Sequence, residues 1–265
     1  MAENILTVEN LNIAYQGVPA VMDVNFTLER GKVLTIVGES GSGKTTVIRA
    51  LMGLLPIGGE VTDGTMIFNG QDLRTLSKSE WRAIRGKDMA MIFQDSGSAL
   101  DPIVRIGKQF RELFKSHVEI TNDECDRRAI ELLESVSLPN GADILCRYPH
   151  ELSGGQRQRV GIAMALALDP ALLIGDEPTS ALDVTTQSQV VMQMLELAKE
   201  HNSAIVMVTH NLGVAAYMSD YIIVMKKGRV VDAGTTQDIL ENPSNEYTKQ
   251  LKDAVPTLGG GRYID

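Results

Sequence analysis

The sequence has few cysteines and a shortage of positive charge, and each shortage excludes a class of protein. Only Cys125 and Cys146 are present among 265 residues, and they form no C-x-x-C pair, so we expect two reduced cytosolic thiols and no disulfide or metal site. Lys and Arg number 25 against 34 Asp and Glu, which gives a net charge of −9. Because neutralising phosphates requires an excess of basic residues, this balance argues against a protein that coats nucleic acid.

Long hydrophobic runs are also missing. The longest apolar stretch, 160–175, is interrupted by Asp169 and Pro170, whereas a membrane-spanning helix needs roughly twenty apolar residues. The first residues carry no basic patch followed by an apolar stretch, so we expect no secretory signal. With 43% hydrophobic and 22% charged residues, the composition is that of an ordinary globular protein with one large domain, or one domain with a small insert.

The patterns that are present alternate between strand and helix. Apolar residues recur at spacing two in two early segments, which predicts half-buried antiparallel strands; they are Leu11, Ile13 and Tyr15, then Val24, Phe26 and Leu28. A further strand over 65–68 runs into the turn Asn69-Gly70. Three runs are apolar throughout, which is typical of parallel strands buried on both faces; they are 33–37, 171–174 and 204–208.

The middle of the chain has a helical pattern. Thr121 and Glu124 form a possible capping box before apolar residues at helical spacing, and Pro139 and Gly141 end that helix. Since 96–151 lacks strong strand signals, we predict an α/β core that carries a mostly helical insert.

The run 33–37 leads directly into a phosphate-binding pattern. It reads Gly38-Glu39-Ser40-Gly41-Ser42-Gly43-Lys44-Thr45-Thr46, that is, G-x-x-x-x-G-K-[ST] between a strand and a helix. We call 38–46 the cradle. Its glycines let successive N–H groups point inward at phosphate oxygens, and the helix N-terminus adds partial positive charge. Lys44 is predicted to contact the β- and γ-phosphates, and the Thr45 hydroxyl to hold Mg²⁺. This pattern alone is shared by kinases, GTPases and motor ATPases.

Two acids and a histidine follow the other buried runs. Asp176 and Glu177 come after the run 171–174, and Asp176 fits a Mg²⁺ contact through water. On a strand, Glu177 would point away from Asp176, which would leave it to orient and deprotonate the attacking water. His210 follows the run 204–208, where it could hydrogen-bond the γ-phosphate.

A second anion-binding pattern lies far from the first in sequence. It reads Leu152-Ser153-Gly154-Gly155-Gln156 at the start of a predicted helix, and we call it the signature loop. A hydroxyl, free N–H groups and a helix dipole together favour an anion there. The natural reason for two such loops is one ATP gripped by the cradle of one subunit and the signature loop of another.

These motifs together resemble an ATP-binding cassette (ABC) subunit of a membrane transporter, over about residues 5–240. They occur in the order of that family: the cradle, Gln94, the signature loop, 172–177, Ser180-Ala181-Leu182-Asp183 and His210. Tyr15 lies upstream, where the family stacks adenine on an aromatic ring. The resemblance implies a P-loop NTPase of α/β class: a RecA-like core with an N-terminal antiparallel β subdomain, over about 1–95 and 153–240, with an inserted helical subdomain over about 96–152 and a C-terminal tail over 241–265.

The resemblance also implies the cofactors and the roles of the site residues. ATP and Mg²⁺ would be the cofactors, with Thr45, Gln94 and Asp176 at the metal, Asp176 through water. Glu177 and His210 would be catalytic, and Gln94 would sense the γ-phosphate. Residues 180–183 would form a loop at the interface of two cassettes.

Partners follow from the same resemblance. A second ATPase subunit, identical or different, would face this one head to tail. Permease subunits would dock on the helical insert at the cytoplasmic face of the cell membrane, with an extracytoplasmic solute-binding protein acting indirectly and no nucleic acid involved. Segments 93–109, 148–151, 179–185 and 242–248 are similar to ATPases of oligopeptide, dipeptide and nickel importers. The alternatives are an exporter or lipoprotein-release cassette, and a soluble cassette ATPase of DNA repair or translation.

Overall fold

The computed structural model describes residues 3–94, 97, 99–178 and 184–255. They divide into two compact units: the first joins the residues up to Lys78 to those from Ala204 onward, and the second is Ser79–Ser203. Both contain strands and helices, and the chain has the predicted α/β class.

The first unit contains two sheets. Its strands are β1 (Asn4–Tyr15), β2 (Val18–Glu29), β3 (Val33–Val37), β4 (Gly59–Phe68), β5 (Gln71–Asp72), β8 (Ala204–Thr209), β9 (Tyr221–Lys226) and β10 (Arg229–Thr235). One sheet is antiparallel, in the order β2-β1-β4-β5, and confirms the N-terminal antiparallel β subdomain. The other has the order β10-β9-β3-β8, in which β3 pairs in parallel with both β8 and β9. The predicted turn Asn69-Gly70 closes β4 onto β5 with both residues at positive φ, 48° and 79°.

Four helices accompany these strands. They are α1 (Lys44–Leu51), α8 (Leu212–Met218), α9 (Thr236–Glu241) and α10 (Glu246–Asp253). Short polar side chains begin three of them: Asn211, Thr235 and Asn245 each accept a hydrogen bond from a backbone N–H of the first turn.

The second unit is mostly helical around two parallel strands. Its elements are α2 (Lys78–Ile84), β6 (Met89–Ile92), α3 (Ile106–Lys115), α4 (Asn122–Ser135), α5 (Gly141–Cys146), α6 (Gly154–Leu166), β7 (Leu172–Asp176) and α7 (Val184–Glu200). β6 pairs in parallel with β7. Between β6 and α6 the described residues are helical or irregular, as the sequence predicts. The stacked rings of Phe110 and Phe114, 6.3 Å apart, are fully buried within this unit.

The capping box predicted at α4 is only half present in the described part of the chain. The Thr121 hydroxyl accepts the Glu124 N–H at 3.3 Å, as expected. The Glu124 carboxylate does not return to the Thr121 backbone, because it binds Arg127 and Arg128 one turn further along the helix. Ion pairing has therefore replaced the second half of the box.

Two expectations from composition can be compared directly with this fold. Both cysteine thiols are free, Cys125 buried and Cys146 exposed. Across the described ranges, we find no helix with the length and apolar character that crossing a bilayer requires.

Candidate functional site

The cradle leaves the central strand β3 and curls back into α1. Gly41 and Gly43 have left-handed backbones, with φ of 79° and 102°, which side-chain-bearing residues rarely adopt. Gly38 is glycine for another reason: a Cβ there would lie 2.2 Å from the Met225 carbonyl oxygen. Gly43, the N-cap of α1, supplies no side-chain cap to this helix.

Lys44 folds back over the cradle. Its ammonium donates to the carbonyl oxygens of Gly38 and Glu39, at 2.7 and 2.8 Å, and the residue is only 6% exposed. The positive charge is thus held at the loop whose backbone curls around it. Phosphate contact by Lys44 stays a prediction, which needs its ammonium at this loop.

The β9–β10 turn braces the cradle from outside. The Gly228 N–H donates to the Ser42 carbonyl oxygen at 3.0 Å, and the Gly228 carbonyl accepts the Met22 N–H at 2.8 Å. This support was not predictable from local patterns, because the turn lies more than 180 positions from the cradle.

Strand register brings His210 beside the start of the cradle. β3 and β8 are parallel, and Val37 is paired with Thr209. Gly38 and His210 each follow these paired residues, so both leave the same edge of the sheet. His210 is exposed. The sequence prediction that a histidine emerges here next to the phosphate loop fits this register.

Tyr15 ends β1 and packs against a glycine. It is paired with Gly59 across β1 and β4, and a Cβ on Gly59 would lie 2.6 Å from the Tyr15 ring. The edge of the Tyr15 ring therefore lies close to the Gly59 backbone, and a side chain at position 59 would collide with it. The residue is half-buried.

In the second unit, register brings Gln94 and the acids to one edge. β6 and β7 are parallel, and Ile92 is paired with Gly175. Asp176, the last residue of β7, and Gln94, two residues beyond β6, therefore lie at the same ends of adjacent strands. Asp176 is 6% exposed and Gln94 is exposed.

Glu177 does not continue strand β7, contrary to the strand geometry used to predict its direction. β7 ends at Asp176, and Glu177 has a φ of 45°, in the left-handed region. A non-glycine residue there carries strain of order 1–3 kcal/mol, and such positions concentrate at functional sites. The alternation of a strand therefore does not apply at Glu177, because the backbone turns there.

Sequence reasoning missed Gln158, which joins three parts of the second unit. It lies on α6, is 2% exposed, and donates from Nε2 to the carbonyl oxygens of Phe93 at 3.2 Å and Pro178 at 2.5 Å. These carbonyls flank Gln94 and Glu177. The sequence carries no signal for this role, because a glutamine in a predicted helix reads as an exposed residue; its burial in the structure reveals it, since buried amides are nearly always hydrogen-bonded.

The signature loop lies at the start of α6, where a helix was predicted, and it also caps that helix. The Ser153 hydroxyl accepts the Gln156 N–H, and the Gln156 side chain accepts the Ser153 N–H, at 3.2 and 2.9 Å. Leu152 is buried, whereas Ser153 and Gly154 are exposed. Residues 180–183, predicted at the cassette interface, lie outside the described residues.

Comparison with known proteins supports a single family. The ABC transporter family matches residues 21–180. A dipeptide transport ATP-binding protein of Lactococcus lactis subsp. cremoris is 45% identical over 97% of this chain and 75% of its own length. An oligopeptide transport ATP-binding protein of Bacillus subtilis is 44% identical over 96% of this chain and 72% of its own.

The fold agrees with a solved cassette. A dimeric, post-hydrolysis ATP-binding cassette bound to ADP and phosphate superposes with a TM-score of 0.78 and 29% identity, over 87% of this chain and 98% of that one. The chain therefore belongs to the ABC transporter family, as an ATP-binding subunit that hydrolyses ATP.

Proposed function

We propose that this chain powers an importer of oligopeptides or dipeptides, hydrolysing ATP that two cassettes hold between them. The observation that carries the cargo class is its similarity, over nearly the whole chain, to dipeptide and oligopeptide transport ATP-binding proteins. Nickel or metal-chelate uptake is the alternative cargo. The proposed subdomains remain the core over about 1–95 and 153–240, the helical subdomain over about 96–152 and the C-terminal segment 241–265.

The cradle suits a triphosphate. Lys44 holds its ammonium over the loop, and the buried Ser42 hydroxyl has no hydrogen-bond partner among the described residues. An unpaired buried polar group lowers the stability of the fold by about 1–3 kcal/mol. A phosphate oxygen that accepted a hydrogen bond from this hydroxyl would remove that loss. We propose that adenine stacks on the half-buried ring of Tyr15.

Mg²⁺ is the metal that the chemistry of the predicted donors favours. Thr45, Gln94 and Asp176 offer the hard oxygen ligands that Mg²⁺ prefers, and Asp176 would act through water. No group of three or more His, Cys, Asp or Glu residues in the described ranges could hold a metal alone; a nucleotide-bound Mg²⁺ needs few protein ligands, because phosphates and waters supply the rest. When bound, the ion would neutralise charge on the β- and γ-phosphates.

Glu177 is the proposed general base. It would accept a proton from the attacking water while the water oxygen bonds to the γ-phosphorus and the bond to the bridging oxygen of ADP breaks. Its left-handed backbone, at the turn that follows β7, is the strained kind of position that concentrates at functional sites. His210 would hydrogen-bond the γ-phosphate, and Gln94 would report its presence to the helical subdomain.

The signature loop would complete the site of a second subunit. A Cβ on Gly154 would meet only Arg157 Nη2, at 3.9 Å, and Gly154 has no positive φ. Nothing within the described chain therefore requires glycine there. Close approach of a partner's nucleotide supplies the missing reason, with the helix N-terminus of α6 attracting its phosphates. The partner cassette would be a copy of this chain or a related one.

A preorganised loop in the second unit is the proposed permease contact. Gln109 accepts the Asp101 N–H at 3.0 Å and donates to the carbonyl oxygens of Asp101 and Val104 at 3.0 and 2.8 Å. This fixes a loop whose Ile103 is 82% exposed. Docking of permease subunits there would place the chain at the cytoplasmic face of the cell membrane, with a solute-binding protein acting from the other side.

Glu177→Gln tests the catalytic role. The amide keeps the shape of the side chain but cannot accept the proton, so hydrolysis should fall by about 10²–10⁴-fold while ATP binding is retained. Phosphate release and nucleotide binding would be measured on the same preparation, with Glu200→Gln as a control because Glu200 is an exposed residue at the end of α7, outside the cradle and the signature loop. Unchanged turnover in Glu177→Gln would remove this residue from the base role.

The cargo is tested separately. The chain would be purified from membranes with its partners, reconstituted in vesicles, and assayed for ATP-dependent uptake of labelled dipeptides, longer peptides and Ni²⁺. Peptide uptake supports the proposal. Uptake of Ni²⁺ alone, or recovery without any permease, contradicts it.

A further inference from the structure

The C-terminal helix α10 packs into the core of the first unit, behind the cradle. Its Tyr247 is 8% exposed and lies in an apolar cluster with Val37, the last residue of β3. The other buried members come from α8, β9 and α9: Leu212, Ala215, Ile222, Val224 and Ile239. Tyr247 thus touches the strand end from which the cradle departs.

The Tyr247 hydroxyl is bonded to the cradle itself. It accepts the backbone N–H of Glu39 at 2.9 Å, between residues 208 positions apart. The Lys226 ammonium lies 4.3 Å from the centre of the Tyr247 ring, in a cation–π contact. Burial raises the pKa of Tyr247 above its usual value, so the phenol stays neutral at pH 7.

The segment before α10 is also fixed. The Asp232 carboxylate accepts the Ser244 N–H and hydroxyl, at 3.0 and 2.8 Å, and the Asn245 N–H at 3.2 Å. The Asn245 side chain in turn accepts the Tyr247 N–H at 2.9 Å. Burial acts to raise the pKa of Asp232, but these hydrogen bonds outweigh it and lower that pKa. A continuous set of contacts therefore runs from β10 through Asn245 to Tyr247 and the cradle.

We propose that Tyr247 is a positioning residue for nucleotide binding, which holds the second residue of the cradle so that the following N–H groups face the phosphates. The Glu39 N–H precedes the two left-handed glycines, and its direction sets the entry of the chain into the curl. Without the phenol oxygen, this exposed corner would exchange its hydrogen bond for water and sample other conformations. The role rests on the proposed use of the cradle for ATP.

Tyr247→Phe removes only the phenol oxygen and keeps the ring in its cluster. Loss of one hydrogen bond that preorganises the loop should raise the Kd and KM for Mg-ATP by roughly 3- to 10-fold, with kcat within about twofold. Amide hydrogen exchange should accelerate at Glu39 and its neighbours but not throughout the first unit. A general loss of core packing would instead accelerate exchange at many amides of that unit. Tyr217→Phe is the matched control, since Tyr217 lies on α8 in the same unit and is 54% exposed.

Asp232→Asn provides a second test if Tyr247→Phe folds poorly. It weakens the anchor of the Ser244–Asn245 segment without altering the aromatic ring, and should raise the Kd by about two- to fivefold with the same acceleration at Glu39. Unchanged Kd or unchanged Glu39 exchange in the folded variants would overturn the role of Tyr247. Failure of the unmodified chain to bind Mg-ATP would instead reject the use of the cradle, so the two failures are distinguishable.

Discussion

The cradle and the signature loop are both glycine-rich loops at helix N-termini, yet the chain treats them in opposite ways. The backbone of the cradle is held by distant parts of its own chain: Met225 leaves no room beside Gly38, and Gly228 and Tyr247 bond to it. The signature loop is held by the cap of its own helix, and its Ser153 and Gly154 are exposed. The difference teaches that long-range contacts shape the first loop and local ones the second, which under the proposed function faces a surface that another molecule supplies.

Gly38→Ala should disrupt the cradle and have the largest effect on stability. The new Cβ would overlap a backbone carbonyl, which cannot rotate away as a side chain can. We expect a loss of about 2–4 kcal/mol in the free energy of unfolding, together with loss of nucleotide binding, measured by urea denaturation and by titration with Mg-ATP.

Gly41→Ala is the matched control for that variant. Gly41 also lies in the cradle, but a Cβ there meets nothing within 4 Å, so only the cost of its positive φ remains, about 1–2 kcal/mol. Equal destabilisation by the two substitutions would show that the close Met225 carbonyl oxygen is not the reason for a glycine at position 38.

Gly154→Ala should leave the signature loop folded and still impair ATP hydrolysis. Alanine is a better helix former than glycine, so the free energy of unfolding should stay the same or rise by up to about 1 kcal/mol. ATP binding to the isolated subunit should be unaffected, but hydrolysis that depends on protein concentration should fall at least about tenfold, because a methyl group then stands between this loop and the partner's nucleotide. Hydrolysis equal to that of the unmodified chain at all concentrations would contradict the shared site.

Glu124→Gln should have the smallest effect on stability, because it removes ion pairs on the exposed surface of α4 and leaves both glycine-rich loops unchanged. Hydrogen bonds from Arg127 and then Arg128 lower the pKa of Glu124 to about 2. Since the folded-state pKa lies below the unfolded value, near 4.3, this carboxylate adds stability above about pH 4 that is lost as the pH falls towards 2. The variant should melt slightly below the unmodified chain at pH 6 and equal it near pH 2.

Salt provides the control for that comparison. The pairs are exposed on α4, so 0.5 M NaCl should shrink the difference in Tm at pH 6. A difference that persists at high salt, or that grows on acidification, would assign the effect to something other than these ion pairs.

Local sequence signals predicted the parts of the site that neighbouring residues control. The run 33–37 became the strand β3, a helix begins at the signature loop, and Asn69-Gly70 closes a hairpin. The hairpin turn and the helix start are decided by residues a few positions apart, and the continuous apolar run of β3 is itself a local pattern, although its pairing with β8 and β9 is long-range. The half-formed box at Thr121 shows the limit, because Glu124 had competing arginines on the next turn.

The backbone of Glu177 and the contacts of Gln158 and Tyr247 were not predictable in this way. Glu177 takes a left-handed φ that no local residue type demands, and a strand pattern pointed elsewhere. Gln158 reads as an ordinary polar helix residue until its two carbonyl partners are placed beside it. Tyr247 belongs to a segment expected as a tail, yet it is buried against β3.

The sequence by itself determined that a phosphate loop exists here, because glycine, lysine and threonine at fixed spacing are required by backbone curvature and charge within nine residues. It also determined the order of motifs that identifies the family. Only the tertiary structure decided what surrounds that loop. Strand register and core packing bring Met225, Gly228 and Tyr247 to it from about 190 to 210 positions away, and such long-range contacts leave no periodic or local trace in the chain.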